Sequence, residues 1–393
     1  QESNLSLVKI TPAELLLLSQ QLSPQEVAGR TRAFIIGGEN LLTESITFWK
    51  AFAPETLLVN EYGPTETVVG CCVYRVPQDE IESSSVPIGQ PIANTQLHVL
   101  DQYHQLVPIG VPGELYIGGA GLARGYLNRP ELTALKFIPN PFSNEPGARL
   151  YKTGDLARYR WDGNLEFLGR IDHQVKVRGY RIELREIEGV LGQHPAVQET
   201  VVLQEDVPGD GRLVAYFVPN TETPPTTSDL RNFLKEQLPE YMVPSVFVQL
   251  KALPLTTNGK VNRRALPVPE SLRPTLATTY QAPQSEMEQQ IAKLWQEVLH
   301  LDKVGIHDNF FDLGGHSLLM VQVNNKLRVI LQRDISVVTM FQNATIYSLA
   351  QYLSQKTEEK LSLEPMRDRV QKQIEAREKQ KRLFMNPSRK FSH

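Results

Sequence analysis

The chain has 393 residues, 41% of them apolar and 22% charged, with a formal net charge of −3 at pH 7. That length calls for two or three folding units, and the near-neutral balance gives no reason to expect nucleic acid as a partner, since binding its phosphates normally leaves a basic surplus. Two cysteines, adjacent at Cys71 and Cys72, supply neither a disulfide framework nor a spaced metal pair and point to a reducing compartment. No run nears the roughly 18 apolar residues of a membrane span and no signal-peptide pattern opens the chain, so a cytoplasmic protein is expected. It begins at Gln1 without a methionine, as a piece of something longer would.

Residues 5–42 read as strand, helix, strand: AELLLLSQQL suits a buried helix, and RAFIIGG is a short apolar strand stopping at two glycines. Such a stop exposes backbone at a sheet edge where ligands bind in α/β folds, although a plain turn is the commoner meaning of a Gly-Gly pair. A second helix near 42–52 leads into LLVNEYGPTE, where an apolar strand over 57–59 breaks into polar residues and a Gly-Pro. The turn sets the Thr65 hydroxyl and the Glu66 carboxylate at the mouth of the sheet. A hydroxyl there can donate to phosphate and a carboxylate can hold Mg²⁺; an isolated Thr-Glu pair is ordinarily surface or helix-cap chemistry. From 86 to 128, VPIGQPI, QLHVLD, GELYIGG and ARGYLNRP alternate with Gly and Pro, which predicts strands of a small distorted barrel. The glycines of GELYIGGAGLARGYLNRP permit turns, and its residues read as structural.

In YKTGDLARY, Asp155 follows a glycine, so a carboxylate on a rigid turn is expected, able to accept from both hydroxyls of a ribose, with Arg170 one hairpin later. The stretch GRIDHQVKVRGYRIELREIE, 169–188, gathers glycines, arginines and a lysine around Asp172 and His173, with alternating Ile/Val on both sides of a turn, the makeup of a hinge between two bodies. Beyond it a helix over 186–194, the strand LVAYFVPN, a helix over 228–237 capped by Ser228 and the strand SVFVQL form an α+β unit of about 100 residues. It ends in LPLTTNGKVNRRAL, whose Asn258-Gly259 turn presents Lys260 at a loop tip. PVPESLRPTLATTYQAPQ, 267–284, has no period and reads as a linker. Helical spacing then puts Ile291, Leu294, Trp295, Val298 and Leu299 on one face. Ser317, after DLGGH, opens an apolar helix, by default as its N-cap. Thr345 caps a last helix carrying Ile346, Leu349 and Leu353. The tail over 356–393, helical in spacing near 367–383, reads as a solvated helix or disordered end, or as a docking segment.

NEYGPTE (60–66), GELYIGGAGLARGYLNRP, YKTGDL (151–156), the 169–188 stretch, NGK (258–260) and DLGGHSLL stand in the order in which they resemble motifs of the adenylation domain of nonribosomal peptide synthetases followed by its peptidyl carrier protein. The resemblance covers nearly all of residues 5–355. It implies an α/β, adenylate-forming large-core portion with a distorted β-barrel over 1–171 and a small α+β subdomain over 172–268. A linker over 269–283, a four-helix carrier over 284–355 and a charged tail over 356–393 would follow. It also implies roles. Glu66 would hold Mg²⁺, Thr65 would touch the α-phosphate of ATP and Tyr62 would lie against the adenine, with Gly38, Glu39, Asn60 and Gly63 around the nucleotide. Asp155 would take the ribose, supported by Arg170; Phe167 stands where relatives carry Tyr, so a hydroxyl contact there is lost. Lys260 would stabilise charge at the α-phosphate as the substrate carboxylate attacks. A pivot at Asp172 would then remove Lys260 and bring the loop around Gly179 to the cleft. Ser317 would bear 4′-phosphopantetheine, at a helix N-terminus that favours a phosphodiester.

The family's selectivity positions fall at Lys9, Ile35, Gly37, Glu61, Val69 and Gly70. One ammonium and one carboxylate in a pocket suit a carboxamide, which accepts and donates, so asparagine is the expected amino acid and aspartate, repelled by Glu61, the second choice. The plain alternative is that Lys9 and Glu61 pair with each other and cap a small pocket. The family's phosphate loop and amine-binding aspartate lie upstream of everything here, so the upstream half of the adenylation domain is an expected partner. Neighbouring condensation or other synthetase domains, a phosphopantetheinyl transferase and a small MbtH-like activator are the others; nucleic acid and membrane are not. Two rival classes are an acyl-CoA ligase, which has no use for Ser317, and a non-catalytic carrier or docking fragment.

Overall fold

A computed structural model describes residues 5–79, 83–172, 174–207, 210–269 and 273–354, with backbone alone at 206, 207 and 210. The expected charged tail over 356–393, and His173, lie outside the described residues. The chain divides into two compact units, Gln1–Pro269 and Glu270–His393.

The first unit opens with β1 (Val8–Ile10), α1 (Pro12–Gln21), α2 (Pro24–Val27), β2 (Ala33–Gly37), α3 (Thr43–Phe52), β3 (Leu57–Tyr62), β4 (Cys72–Arg75) and β5 (Gln90–Pro91). Helix α1 starts where Thr11 and Glu14 close a capping box. The five strands form one sheet in the order β1-β2-β3-β4-β5, parallel through β3 and antiparallel after it. One face buries Phe34, Ile36 and Leu58 against Leu15, Ile46 and Trp49 of the helices. The strand expected over 57–59 is longer: it runs on through Asn60, Glu61 and Tyr62, because β4 pairs with those polar residues and satisfies their backbone.

Next come β6 (Thr95–Leu100), β7 (Gly113–Gly119), α4 (Pro130–Lys136), β8 (Phe137–Pro139), β9 (Arg149–Tyr159) and β10 (Leu165–Arg170). They make an antiparallel sheet in the order β10-β9-β7-β6, with β8 on β9. ARGYLNRP is not a strand; it is irregular backbone leading to α4, whose start Pro130 pre-forms.

A two-stranded hairpin, β11 (Gln174–Val177) and β12 (Tyr180–Glu183), turns at Arg178 and Gly179, whose φ of 52° and 79° give the primed turn that suits strand twist. Then follow α5 (Leu184–Leu191), β13 (Val197–Val207), β14 (Asp210–Pro219), α6 (Thr227–Lys235) and β15 (Val246–Gln249). Helices α5 and α6 cover the sheet β13-β14-β15 through Leu184, Ile187, Leu191, Leu230 and Leu234. Strand β13, VQETVVLQEDV, escaped the sequence reading because its polar residues interrupt the apolar alternation. The cap of α6 is Thr226, in a capping box with Asp229, and not Ser228.

The second unit holds α7 (Glu286–Leu299), α8 (Ser317–Leu331), α9 (Val337–Gln342) and a fourth helix, α10, over 346–354. Trp295, fully buried, meets Phe310 edge-on at 4.8 Å in a core completed by Met320, Val323, Leu327, Ile346 and Leu349. Within the stretch expected as a linker over 269–283, Arg273 pairs with Asp308 at 2.6 Å and Leu276 packs on this core. Among the described residues no helix is long and apolar enough to cross a membrane.

Candidate functional site

Strands β2 and β3 run parallel with Gly37 opposite Glu61, so the segments 37–39 and 61–63 leave the same end of the sheet. Lys9 lies opposite Ile35, and Ile35 is two residues from Gly37. Period-two alternation therefore puts Lys9, Ile35, Gly37 and Glu61 on one face, opposite the buried Phe34 and Ile36. Lys9 and Glu61 are joined there as an ion pair, the plain alternative of the sequence reading. Beyond β3, Val69 is held like Val68 in the left-handed region (φ 68° and 64°). Gly70 packs against the Glu61 carboxylate so closely that a Cβ would overlap it.

Asp155 does not sit on a turn. It lies within β9, at a bulge where residues between Lys152 and Leu156 face Leu115 alone. Thr153 Oγ1 fixes the bulge by donating to Leu115 O at 2.6 Å and accepting from Asp155 N at 2.9 Å. Gly154, with φ 76°, allows Asp172 to approach where a Cβ would lie 2.6 Å from its Oδ2. The Asp155 carboxylate is 2% exposed and accepts from the Tyr62 hydroxyl on one oxygen and from Arg170 on the other. Arg170 also grips both oxygens of Asp172, at 2.6 and 2.7 Å. Burial works against the Asp172 charge, but the bonds and charge of Arg170 outweigh it and hold the carboxyl below its ordinary range. Phe167 stands 6.4 Å from the Tyr62 ring.

Asn60 is 2% exposed, and its side-chain NH2 donates to Pro87 O at 2.9 Å and Val86 O at 3.3 Å, tying β3 to that loop. Thr65 is exposed at the start of a short 3₁₀ turn, Thr65–Thr67. Glu66 beside it is gripped from two sides, by the Tyr126 hydroxyl at 2.6 Å and by Arg181 at 2.8 Å. Burial pushes its pKa up, but these partners prevail and lower it, so the carboxylate is ionised.

Arg181 belongs to the β11–β12 hairpin, which is docked in the cleft. Gly179 N donates to Glu39 at 3.1 Å, while the other Glu39 oxygen accepts from Ala13 N at 3.3 Å. Lys176 lies over the Tyr62 ring at 5.5 Å, and burial pushes its pKa down against the pull of Asp155. Lys260 is brought to none of these groups. It sits exposed at its turn, where Gly259 N donates to Thr256 O at 2.9 Å. Tyr126, Lys176 and Arg181 were missed as site residues. The one local signal was a lysine within the alternation of QVKV; Tyr126 lies in the motif read as structural.

In the second unit Ser317 is the first residue of α8, exposed, and its hydroxyl has no partner among the described residues. The N-cap is His316, in extended backbone, so Ser317 is released from the capping role expected by default. The first turn of α8 carries no acidic residue, so a phosphodiester on Ser317 would meet the N–H groups of that turn and no carboxylate within it; the residues fit a phosphopantetheine arm. Glu66, ionised and half-buried, is a carboxylate of the kind Mg²⁺ takes, with Arg181 as the competing cation.

Family models match three stretches: AMP-binding enzyme over residues 1–127, AMP-binding enzyme C-terminal domain over 186–260, and phosphopantetheine attachment site over 289–353. Fold and site thus define part of an adenylate-forming enzyme followed by a phosphopantetheine carrier. The chain is 47% identical over 362 residues to tyrocidine synthase 3 of Brevibacillus parabrevis and 44% identical over 355 residues to gramicidin S synthase 2 of Brevibacillus brevis. These alignments cover 91% and 90% of this chain but 6% and 8% of those relatives. Its structure resembles that of holo-PA1221, an NRPS protein containing adenylation and PCP domains bound to a vinylsulfonamide inhibitor, with a TM-score of 0.74 and 30% identity over 89% of this chain and 57% of that one. The chain belongs to the nonribosomal peptide synthetases, as the C-terminal part of an adenylation domain followed by a peptidyl carrier domain.

Proposed function

We propose that this chain, with the upstream half of its adenylation domain, activates an amino acid with ATP and Mg²⁺ and loads it onto its own carrier in the cytoplasm. In the first step the amino-acid carboxylate attacks the α-phosphorus of ATP and pyrophosphate leaves; in the second the acyl group passes to a thiol and AMP leaves. Phosphopantetheine on Ser317 supplies that thiol. The observation that carries this reading is the convergence of Glu39, Glu66, Asp155 and Tyr62, from separate elements, on one cleft that the β11–β12 hairpin enters. Glu66 would hold Mg²⁺, Thr65 the α-phosphate, and Asp155, steadied by Arg170, the ribose. Lys260 would serve the first step from a different setting of the small subdomain, reached by rotation about Asp172, and the docked Gly179 loop suits the second.

For the substrate we favour asparagine. A carboxamide entering between Lys9 and Glu61 accepts from one and donates to the other, whereas aspartate sets its charge against Glu61. Exchange of labelled pyrophosphate into ATP, tested amino acid by amino acid with the upstream half present, should depend on asparagine and vanish in Lys260→Ala. Exchange with a different amino acid alone overturns the substrate, and exchange with none overturns the enzyme. A mass gain at Ser317 on treatment with CoA and a phosphopantetheinyl transferase is the expected sign of the carrier. Neighbouring condensation or other synthetase domains would use the loaded product, and a small MbtH-like activator is a further partner on this reading.

A further inference from the structure

The sequence between the two units reads as a plain tether, but both of its ends are fastened. On the first unit Leu266 packs with Leu253 and Val261, and the Tyr216 hydroxyl donates to Pro267 O at 2.9 Å. On the second, Arg273 donates to both oxygens of Asp308, each at 2.6 Å, and to Thr278 O at 2.8 Å, while its own N–H reaches Asp302 at 3.1 Å. The Asp308 side chain is 1% exposed and that of Arg273 11%. Asp308 further accepts from Gly305 N at 2.7 Å and from Thr278 Oγ1 at 3.0 Å. The segment that follows stays on the same unit: Leu276 packs on the core, Tyr280 lies beside Arg273 and Lys303, and Gln281 O accepts from Ile306 N at 2.9 Å.

A merely solvated linker has no reason to bury a bidentate arginine on a carboxylate. We propose that Arg273 is a clasp: it folds the C-terminal half of the linker onto the carrier and so sets how far Ser317 can travel from the adenylation unit. The inference rests on the carrier reading above. With the clasp closed, only the sequence from Pro267 to Arg273 joins the units, about 20 Å at full extension. With it open, and Leu276 and Gln281 released along with it, the join runs to about Gln284 and roughly triples. Because the effective concentration of a tethered group falls as about the −3/2 power of tether length, opening should lower it about fivefold. Arg273 is thus a positioning residue, remote from the reacting atoms.

Two variants test this. Arg273→Ala should speed chymotryptic cleavage after Leu276 or Tyr280 at least about tenfold. It should also slow aminoacylation of the attached carrier about fivefold, with pyrophosphate exchange and pantetheinylation of Ser317 unchanged. Ten Gly/Ser residues inserted between Pro269 and Glu270 should slow aminoacylation about as much, with cleavage at Tyr280 unchanged. Parent-like cleavage in Arg273→Ala, or parent-like loading in the insertion variant, overturns the clasp. Failure of the parent chain to accept phosphopantetheine would count against the carrier reading instead; the cleavage experiment needs no cofactor and still decides whether the clasp exists.

Discussion

Replacing Arg181 by methionine keeps the stem that fills the cleft and removes the guanidinium. The hairpin then loses two bonds to the core, the charged one to Glu66 at 2.8 Å and a weaker one to Tyr151 at 3.3 Å; its bonds to Gln174 stay within the hairpin and do not count. The side chains of Arg181 and Glu66 are 25% and 12% exposed, so solvent screening is partial. A charge-assisted bond in that setting contributes about 2 kcal/mol, which is about a 30-fold shift between docked and undocked hairpin. The reporter is amide exchange at Gly179, whose N–H bonds Glu39 only when the hairpin is in the cleft. Protection there should fall about 30-fold in Arg181→Met and stay at the parent level in Arg212→Ala, which breaks an ion pair with Glu205 elsewhere in the small subdomain. Unchanged protection at Gly179 in Arg181→Met would refute the idea that this contact holds the hairpin.

Three other outcomes follow from the geometry. Gly70→Ala drives a methyl group into the flexible end of Glu61, so discrimination between asparagine and aspartate in pyrophosphate exchange should fall about tenfold, ~1.4 kcal/mol, without lowering the melting temperature; unaltered discrimination would count against Glu61. Ser317→Ala should abolish the phosphopantetheine mass gain and leave carrier stability within about 0.5 kcal/mol, because the hydroxyl bonds nothing among the described residues. Burial opposes the charge of Asp308, but Arg273 and Gly305 hold its pKa below the ordinary 3.8. Its contribution is therefore full above about pH 4 and lost as pH falls through the lower folded value. Asp308→Asn should melt earlier at neutral pH and show a shallower acid decline, though still a decline, since Glu288 and Glu297 are also held below their ordinary range; an acid profile like the parent's would be the contrary result.

What the sequence made legible was local. Apolar patterning located β2 and α7, the alternating Ile/Val about a turn in 169–188 announced the β11–β12 hairpin, and NEYGPTE marked the end of the strand where Glu66 emerges. The misses around the site share a physical cause, dependence on partners outside the local stretch. Polar residues 60–62 remain in a strand because β4 pairs with them; Asp155 is held in a strand bulge by Thr153 and Leu115, where a Gly-Asp pair alone suggests a turn. Tyr126 and Arg181 reach Glu66 from 60 and 115 residues away, a separation that no spacing rule sees. Arg273 looked like one more polar residue of a Pro/Thr-rich stretch until Asp308, 35 residues on, came to face it.

Arg170 is a single cation with two carboxylate clients, Asp155 in the cleft and Asp172 beside the hairpin. Substituting Asp172 would therefore free the guanidinium to lean wholly on Asp155, and substituting Asp155 would do the reverse. On the function proposed above, kinetic defects in Asp172 variants would mix altered swivelling with altered nucleotide grip, and only a double-mutant cycle through Arg170 would separate the two.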